Sequence, residues 1–301
     1  MIRIIPWTTY CLLIMELYFC NENCKQCIIF HYLHSKVFPG YGLRFFLMNK
    51  IKVSAVSYAN TYPFIYGLEN SSIRKKIILQ KDFPSLCAKN LAEDRVDIGL
   101  VPITMIPKLG FYEIVSEYCI GANKEVRSVI LVSNSPLKKI KRIFLDYQSG
   151  TSVNLVKILT MFYWDIDVRW LPTTEGFENK IKNKLDGAVL IGDRCFAAEK
   201  RFPFRYDLAD EWRKFTGLPF VFAAWVANKQ IDREFKEIFD SALKYGINHL
   251  DKVIKYFANN RLPEGVNLKS YLTTNIDYHL DDKKLKAMEL FFQYLDKLSI
   301  K

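Results

Sequence analysis

From Ile51 onward, short apolar runs alternate with stretches of helical spacing, and this alternation restricts the fold more than any other feature of the 301 residues. Strands separated by helices build a sheet with helices on its faces, because a parallel strand has to be reached by a crossover connection. Ile51 to Val56 reads as a first strand and Ile77 to Leu79 as a short second one. Phe83 to Glu93 reads as a helix with Asp82 or Ser85 available as its cap. VDIGLVPITMIPKL reads as a buried strand that stops at Pro102 and turns into a short helix, and EIVSEYCI and SVILVS supply two more strands. The pattern predicts an α/β architecture with a largely parallel sheet.

A second unit starts after the polar connection SNSPLKKIK. It contains a strand over Arg142 to Leu145, a turn at QSGTSVN, a helix from Ser152 to Tyr163, and a strand from Val168 to Leu171. A helix from Glu175 to Lys184 and the strand GAVLIGDRC, ending in a polar turn, follow. The apolar run within TGLPFVFAAWVANK leads the chain back, and amphipathic helices over Asp232 to Asn259 and Asp282 to Leu298 complete it. SVILVSNSP and FVFAAWVANK flank the middle unit as two crossing segments. They predict two lobes hinged about a cleft, with 48–136 and 226–301 in one and 137–225 in the other. One doubly wound sheet would be hard to extend over this many elements.

The segment before Met48 breaks the pattern. Its apolar run TTYCLLIMELYF is too short to span a bilayer. With Glu16 inside it and bulky Leu17, Tyr18 and Phe19 before Cys20, it also makes a poor signal peptide. Residues 1–47 read as an extension, an upstream mis-start or a disordered segment, with no part in the fold. Cys20, Cys24 and Cys27 have the spacing of thiolate cluster ligands, but no glycine-rich strand pattern follows them, and no metal is assigned. Cys87, Cys119 and Cys195 read as small core residues of a reduced, cytoplasmic protein.

A net charge of +11 permits an acidic partner. The lysines are scattered, no stripe of basic and aromatic residues stands out, and no nucleic-acid module signature occurs. A diffuse positive field suits a small anion, or is simple compositional bias. Neither G-x-x-x-x-G-K-[ST] nor G-x-G-x-x-G lies at a strand-to-helix junction, which argues against nucleotide binding. The histidines, His31, His34, His249 and His279, fall in the extension and the helical tail, which argues against a Ser-His-Asp triad.

Polar side chains gather where strands leave the sheet. In VSAVSYANTYPF the apolar strand gives way to Ser57, Tyr58, Asn60, Thr61 and Tyr62, at the end where open α/β sheets bind ligands. An ordinary turn with Asn and Thr as caps accounts for the same residues. Ser149, Gly150, Thr151 and Ser152 lie between a strand and a helix, where free backbone N–H groups and hydroxyls suit a carboxylate. Plain N-capping would need only one of those hydroxyls. Asp193, closing AVLIGD, can orient a group across the cleft or cap the next helix. Arg194 can fork onto a substrate carboxylate or face solvent. Thr216, Gly217 and Pro219 shape the return crossover, and Trp225 reads as a core or hinge aromatic.

Taken together, VSYANTYPF, VDIGLVPITMIPK, RSVILVSNSP, LDYQSGTSVNLVKILT, LIGDRC, YDLADEW and TGLPFVFAAW resemble, in order and spacing, the chorismate dehydratases of the futalosine route to menaquinone, the MqnA family. The resemblance covers roughly residues 50–298. The sister dihydroxynaphthoate synthases open instead with an SPCPNDTF-like motif, where this chain has SYANTYPF. The resemblance implies an α/β two-lobed type II periplasmic-binding-protein-like fold with a ligand cleft between lobes. It implies removal of water from chorismate to give 3-[(1-carboxyvinyl)oxy]benzoate, without metal or organic cofactor. It puts catalytic roles on Asn60 and Ser128 and carboxylate binding on Thr151 and Ser152, and the reading of the strand ends adds Ser57, Tyr58, Ser149 and Asp193 as substrate-binding residues. The expected partner is the small-molecule substrate, with no nucleic acid or stable membrane partner, in a cytoplasmic monomer or homodimer. This chain departs from the commoner pattern in the extension and in the charged NKEVRSV segment. A solute-binding protein for a small carboxylate is the competing class, because fold does not fix function.

Overall fold

The computed structural model describes residues 50–198, 201–260 and 266–300, so the expectation for residues 1–47 lies outside the described residues. The strands form two sheets, one of six strands and one of five. In the first, β1 (Ile51–Val56) runs parallel to β2 (Ile77–Asp82) and β3 (Ile98–Pro102). Antiparallel pairing then adds β10 (Phe220–Ala227), β4 (Glu113–Ala122) and the edge strand β11 (Asp277–His279). In the second, β6 (Arg142–Leu145) runs parallel to β7 (Arg169–Pro172) and β8 (Asp186–Ile191). There β5 (Val129–Ser133) lies antiparallel between β8 and β9 (Phe204–Asp207).

Both sheets are therefore mixed, not largely parallel. The first strand to follow each change of sheet, β5 in the second and β10 in the first, runs antiparallel to its neighbours, and the edge strand β11 is antiparallel to β4 as well. A chain arriving from the other sheet is not constrained by the helical crossover that aligns parallel neighbours. The changes of sheet fall before Val129 and before Phe220, earlier than the boundaries at 137 and 226. Both crossing strands are fully buried, and apart from Ser133 at the end of β5 every residue in them is apolar. Such runs carry no alternation to tell which sheet they join.

The helices are α1 (Tyr62–Glu69), α2 (Pro84–Ala92), α3 (Gly150–Leu159), α4 (Arg194–Ala198), α5 (Leu208–Thr216), α6 (Arg233–Asn248), α7 (Leu250–Tyr256) and α8 (Asp282–Ser299). Neither Asp82 nor Ser85 caps α2, whose N-cap is Phe83. The Asp82 carboxylate instead accepts from Ser54, Gln80 and Asn90. The helix expected over 175–184 is only a 3-10 turn, Phe177–Lys180, entered through left-handed Gly176. The helix expected over 232–259 breaks at His249 into α6 and α7. Strand β9 and helix α5, in YDLADEW, and the edge strand β11 carry too short a pattern to be read from sequence.

α1 opens with Pro63 in its first turn, where the missing N–H costs nothing. It crosses α6 with the two backbones in contact. A Cβ at Gly246 would lie 1.7 Å from the Pro63 carbonyl oxygen, and one at Gly67 would lie 2.0 Å from that of Ala242. This crossing holds the start of α1, and with it the turn after β1, against the body of the first sheet. Trp225 is fully buried between Phe64 and Phe239, as a core aromatic. Among the described residues no helix is long and apolar enough to cross a membrane.

Candidate functional site

The polar end of β1 folds into a 3-10 turn, Ala59–Thr61. The buried Thr61 hydroxyl donates back to the carbonyls of Val56 and Tyr58, at 2.5 and 2.7 Å, and so closes the turn on itself. With the backbone satisfied locally, Tyr58 and Asn60 are free to face the second lobe. The phenol of Tyr58 donates to Gln148 Oε1. Its ring lies on Gly192, where a Cβ would come within 3.1 Å of it and where φ is +66°. Only glycine combines that conformation with that approach. The backbone N–H of Ala59 donates to Asp193 Oδ1 at 3.4 Å. The Asn60 carbonyl accepts from the Tyr278 hydroxyl at 2.9 Å, while its side-chain Oδ1 is buried with no hydrogen-bond partner among the described residues.

The opposite wall is the start of α3. Ser149 is its N-cap, accepting from the Ser152 N–H at 3.2 Å, with the two hydroxyl oxygens 3.0 Å apart. Thr151 faces elsewhere, because its Oγ1 accepts from the Thr104 N–H at 3.3 Å. Asn154 adds a bond to the Thr104 hydroxyl, so this pair of contacts ties α3 to the turn after β3. Ser128 stands just before β5 and is 1% exposed. Its Oγ accepts from the Tyr271 hydroxyl at 2.7 Å, and its carbonyl from the Gly192 N–H at 2.8 Å.

Behind Gln148 lies an ion pair. Arg194 Nη2 donates to Asp146 Oδ2 at 2.6 Å and to Gln148 Oε1 at 3.1 Å, and the Gln148 N–H donates to Asp146 Oδ1 at 2.9 Å. Burial pushes the Asp146 carboxyl up to about 6, although Arg194 pulls it back. Burial also raises Asp193, with the Ala59 N–H opposing, and holds the Tyr58 phenol well above the ordinary tyrosine range. Arg194 is therefore only partly exposed and does not line the cavity, because its Nη2 is held by Asp146 and Gln148 and its Nη1 lies 3.7 Å from Glu178.

The cavity between these walls measures about 50 Å³. Tyr58, Asn60, Thr61, Ser128, Ser149 and Ser152 line it, with Val56, Ile120, Phe222 and other apolar neighbours. Among the described residues, the Tyr58 phenol is the one ionisable side chain in its wall. Of the residues picked out from sequence, the structure brings Tyr58, Asn60, Ser128, Ser149 and Ser152 together. It leaves three outside. Ser57 is exposed, Thr151 is spent on Thr104, and Asp193 sits behind the wall on Ala59. Gln148, Asp146 and Tyr271 escaped sequence reading. Gln148 had a signal in its place beside Ser149, whereas Tyr271 lies 143 residues from Ser128 and had none. A wider groove of about 990 Å³, lined by Lys108, Lys157, Trp170 and Asp296 among others, contains none of these residues. Among the described residues no cluster of three or more His, Cys, Asp or Glu is placed to hold a metal ion.

A profile of the family described as menaquinone biosynthesis matches residues 51–297. The chorismate dehydratase of Campylobacter jejuni is 26% identical over 246 residues, covering 81% of this chain and 92% of that protein. The chorismate dehydratase of Thermus thermophilus is 26% identical over 198 residues, covering 60% and 72%. Among solved structures, a protein of Archaeoglobus fulgidus superposes with a TM-score of 0.65 at 14% identity, covering 84% of this chain and 98% of that one. The alkanesulfonate-binding protein of Xanthomonas axonopodis pv. citri bound to MOPS gives 0.55 at 15% identity, covering 82% and 93%. These structural likenesses speak to the fold, which is the two-lobed periplasmic-binding-protein-like one. The profile match, running from the first residue of β1 nearly to the end of α8, shows that this chain belongs to the menaquinone biosynthesis family.

Proposed function

We propose that this protein is a chorismate dehydratase, removing water from chorismate to give 3-[(1-carboxyvinyl)oxy]benzoate for menaquinone biosynthesis. The match along 92% of the Campylobacter jejuni chorismate dehydratase carries the reading, beside a family match over residues 51–297 that takes in both walls of the cleft. The reaction takes place in the cytoplasm on a small-molecule substrate, with no nucleic-acid or membrane partner.

The chemistry asked of the site is modest. Loss of the ring hydroxyl and a neighbouring ring hydrogen leaves an aromatic ring, so the protein has chiefly to position the substrate and assist proton movement. Ser149 and Ser152, with the free N–H groups opening α3, suit a substrate carboxylate. Asn60, whose buried Oδ1 has no partner among the described residues, supplies an amide that can accept from a substrate hydroxyl and donate to a carboxylate. Ser128 supplies a hydroxyl from the floor of the same cavity. Among the described residues the walls carry no carboxylate, imidazole or amine, and this supports a carboxylate of the substrate itself as the acceptor of the ring proton. A cavity of about 50 Å³ has room for a few water molecules and not for a ring bearing two carboxylates, so the lobes part to admit substrate.

Incubating the purified protein with chorismate and following the product by mass tests the reading. Catalytic loss of one water is expected. Binding without consumption would instead assign a solute-binding role.

A further inference from the structure

We propose that Tyr271 is a positioning residue for Ser128, turning the serine's hydroxyl proton into the cavity. The proposal rests on the reading of Ser128 as a substrate contact. Tyr271 opens the π turn Tyr271–Asn275, a local winding often met at functional sites. It is fully buried, and Phe196 packs edge-on against its ring at 5.0 Å. Its hydroxyl lies 2.7 Å from Ser128 Oγ.

Two hydroxyls in contact can share their protons in either order, and burial decides which. Among the described residues Ser128 is the only hydrogen-bond partner of the Tyr271 hydroxyl. A buried O–H without an acceptor is costly, so Tyr271 donates. Burial also holds that proton on the phenol, far above the ordinary tyrosine range. Ser128 is then left with its own proton and two outlets. One is the Val126 carbonyl at 3.5 Å, the outer limit of a hydrogen bond. The other is the cavity, whose wall Ser128 forms.

A hydroxyl that already accepts from a phenol is a better donor and a poorer acceptor. Ser128 thus acts as a hydrogen-bond donor to a substrate oxygen and not as a base. As the ring C–O bond breaks, negative charge gathers on the departing oxygen, and a donor fixed in place stabilises it. The ring proton and the hydroxyl leave together as one water, and Ser128 ends the cycle with its own proton.

The test is a double-mutant cycle read as separate kcat and KM values. Tyr271→Phe is expected to lower kcat about tenfold with KM within about twofold. Ser128→Ala is expected to lower kcat further, and the double variant to match Ser128→Ala alone. If Tyr271→Phe slows the Ser128→Ala protein as much as it slows the wild type, its effect is structural and the proposal is wrong. If it leaves kcat unchanged while Ser128→Ala lowers it, the positioning role falls and the reading of Ser128 stands. A wild-type rate in Ser128→Ala removes that reading itself. Replacing Tyr271 by fluorotyrosine keeps the ring and a stronger donor, and so guards against misfolding of the Phe variant. Turnover at or above wild type is expected, and a loss like that of the Phe variant overturns the proposal.

Discussion

Tyr58 and Gln148 meet across the cleft, the phenol of one donating to the amide oxygen of the other. Arg194 donates to the same oxygen at 3.1 Å and is itself held by Asp146. The contact thus joins the turn after β1 to a braced corner of the second lobe and favours the closed cleft. Gln148→Ala removes the brace and leaves every cavity hydroxyl in place. It should lower kcat/KM about fivefold to tenfold, chiefly through KM, as expected for one bridging hydrogen bond. Steady-state kinetics showing an unchanged KM would dismiss this role.

Asn60 separates stability from function. Its Oδ1 is buried with no partner among the described residues, so Asn60→Ala discards a group that they leave unsatisfied. The variant should melt at or above the wild-type temperature while kcat/KM falls at least about tenfold. A clear drop in melting temperature with full activity would make Asn60 a structural residue.

The two serines at the head of α3 should divide in the same way. Ser149 accepts the capping bond, so Ser149→Ala should destabilise the protein by about 1 kcal/mol as well as weaken substrate binding. Ser152→Ala leaves that cap oxygen in place, and should raise KM with little change in denaturation midpoint. Equal stability losses in both would indicate a shared structural role and no carboxylate subsite.

Asp207 caps α5 and takes the Arg127 N–H at 2.7 Å. Burial pushes its carboxyl up to about 6, with the Arg127 N–H foremost among the groups opposing it. This value lies above that of an unfolded aspartate, so between about 4 and 6 the native state holds more protons than the unfolded chain. The group's contribution is therefore fully present below that window and is lost as pH rises through it. Asp207→Asn removes the titration. Denaturation at pH about 4.5 and about 6.5 should show the wild type losing roughly 2 kcal/mol more than the variant over that interval. Parallel pH dependence in the two proteins would contradict the shift.

Where α1 and α6 touch, no side chain can be added cheaply. Gly246→Ala places a methyl 1.7 Å from the Pro63 carbonyl oxygen, so the helices must separate, at a cost of about 3 kcal/mol or more. The measurement is the shift in the denaturant midpoint. A shift under about 1 kcal/mol would mean that the crossing yields easily.

The sequence by itself determined most of the strands and helices and the polar strand ends that meet at the cleft. Apolar strands ending in SYANT and in SGTS carry their polar groups at the same end, and that reading survived because it depends on local periodicity and turn chemistry. Tertiary structure alone decided how those groups are used. Thr151 has the same chemistry as its neighbours, yet it is occupied by Thr104, and Arg194 is occupied by Asp146. Such pairings depend on which elements lie side by side, and a linear pattern does not contain them. The sheet joined by each crossing strand was decided in the same way, because β5 and β10 are buried on both faces and carry no alternation. The partner of Ser128 is the clearest case, since Tyr271 comes to it from 143 residues away through the packing of the tail against the cleft.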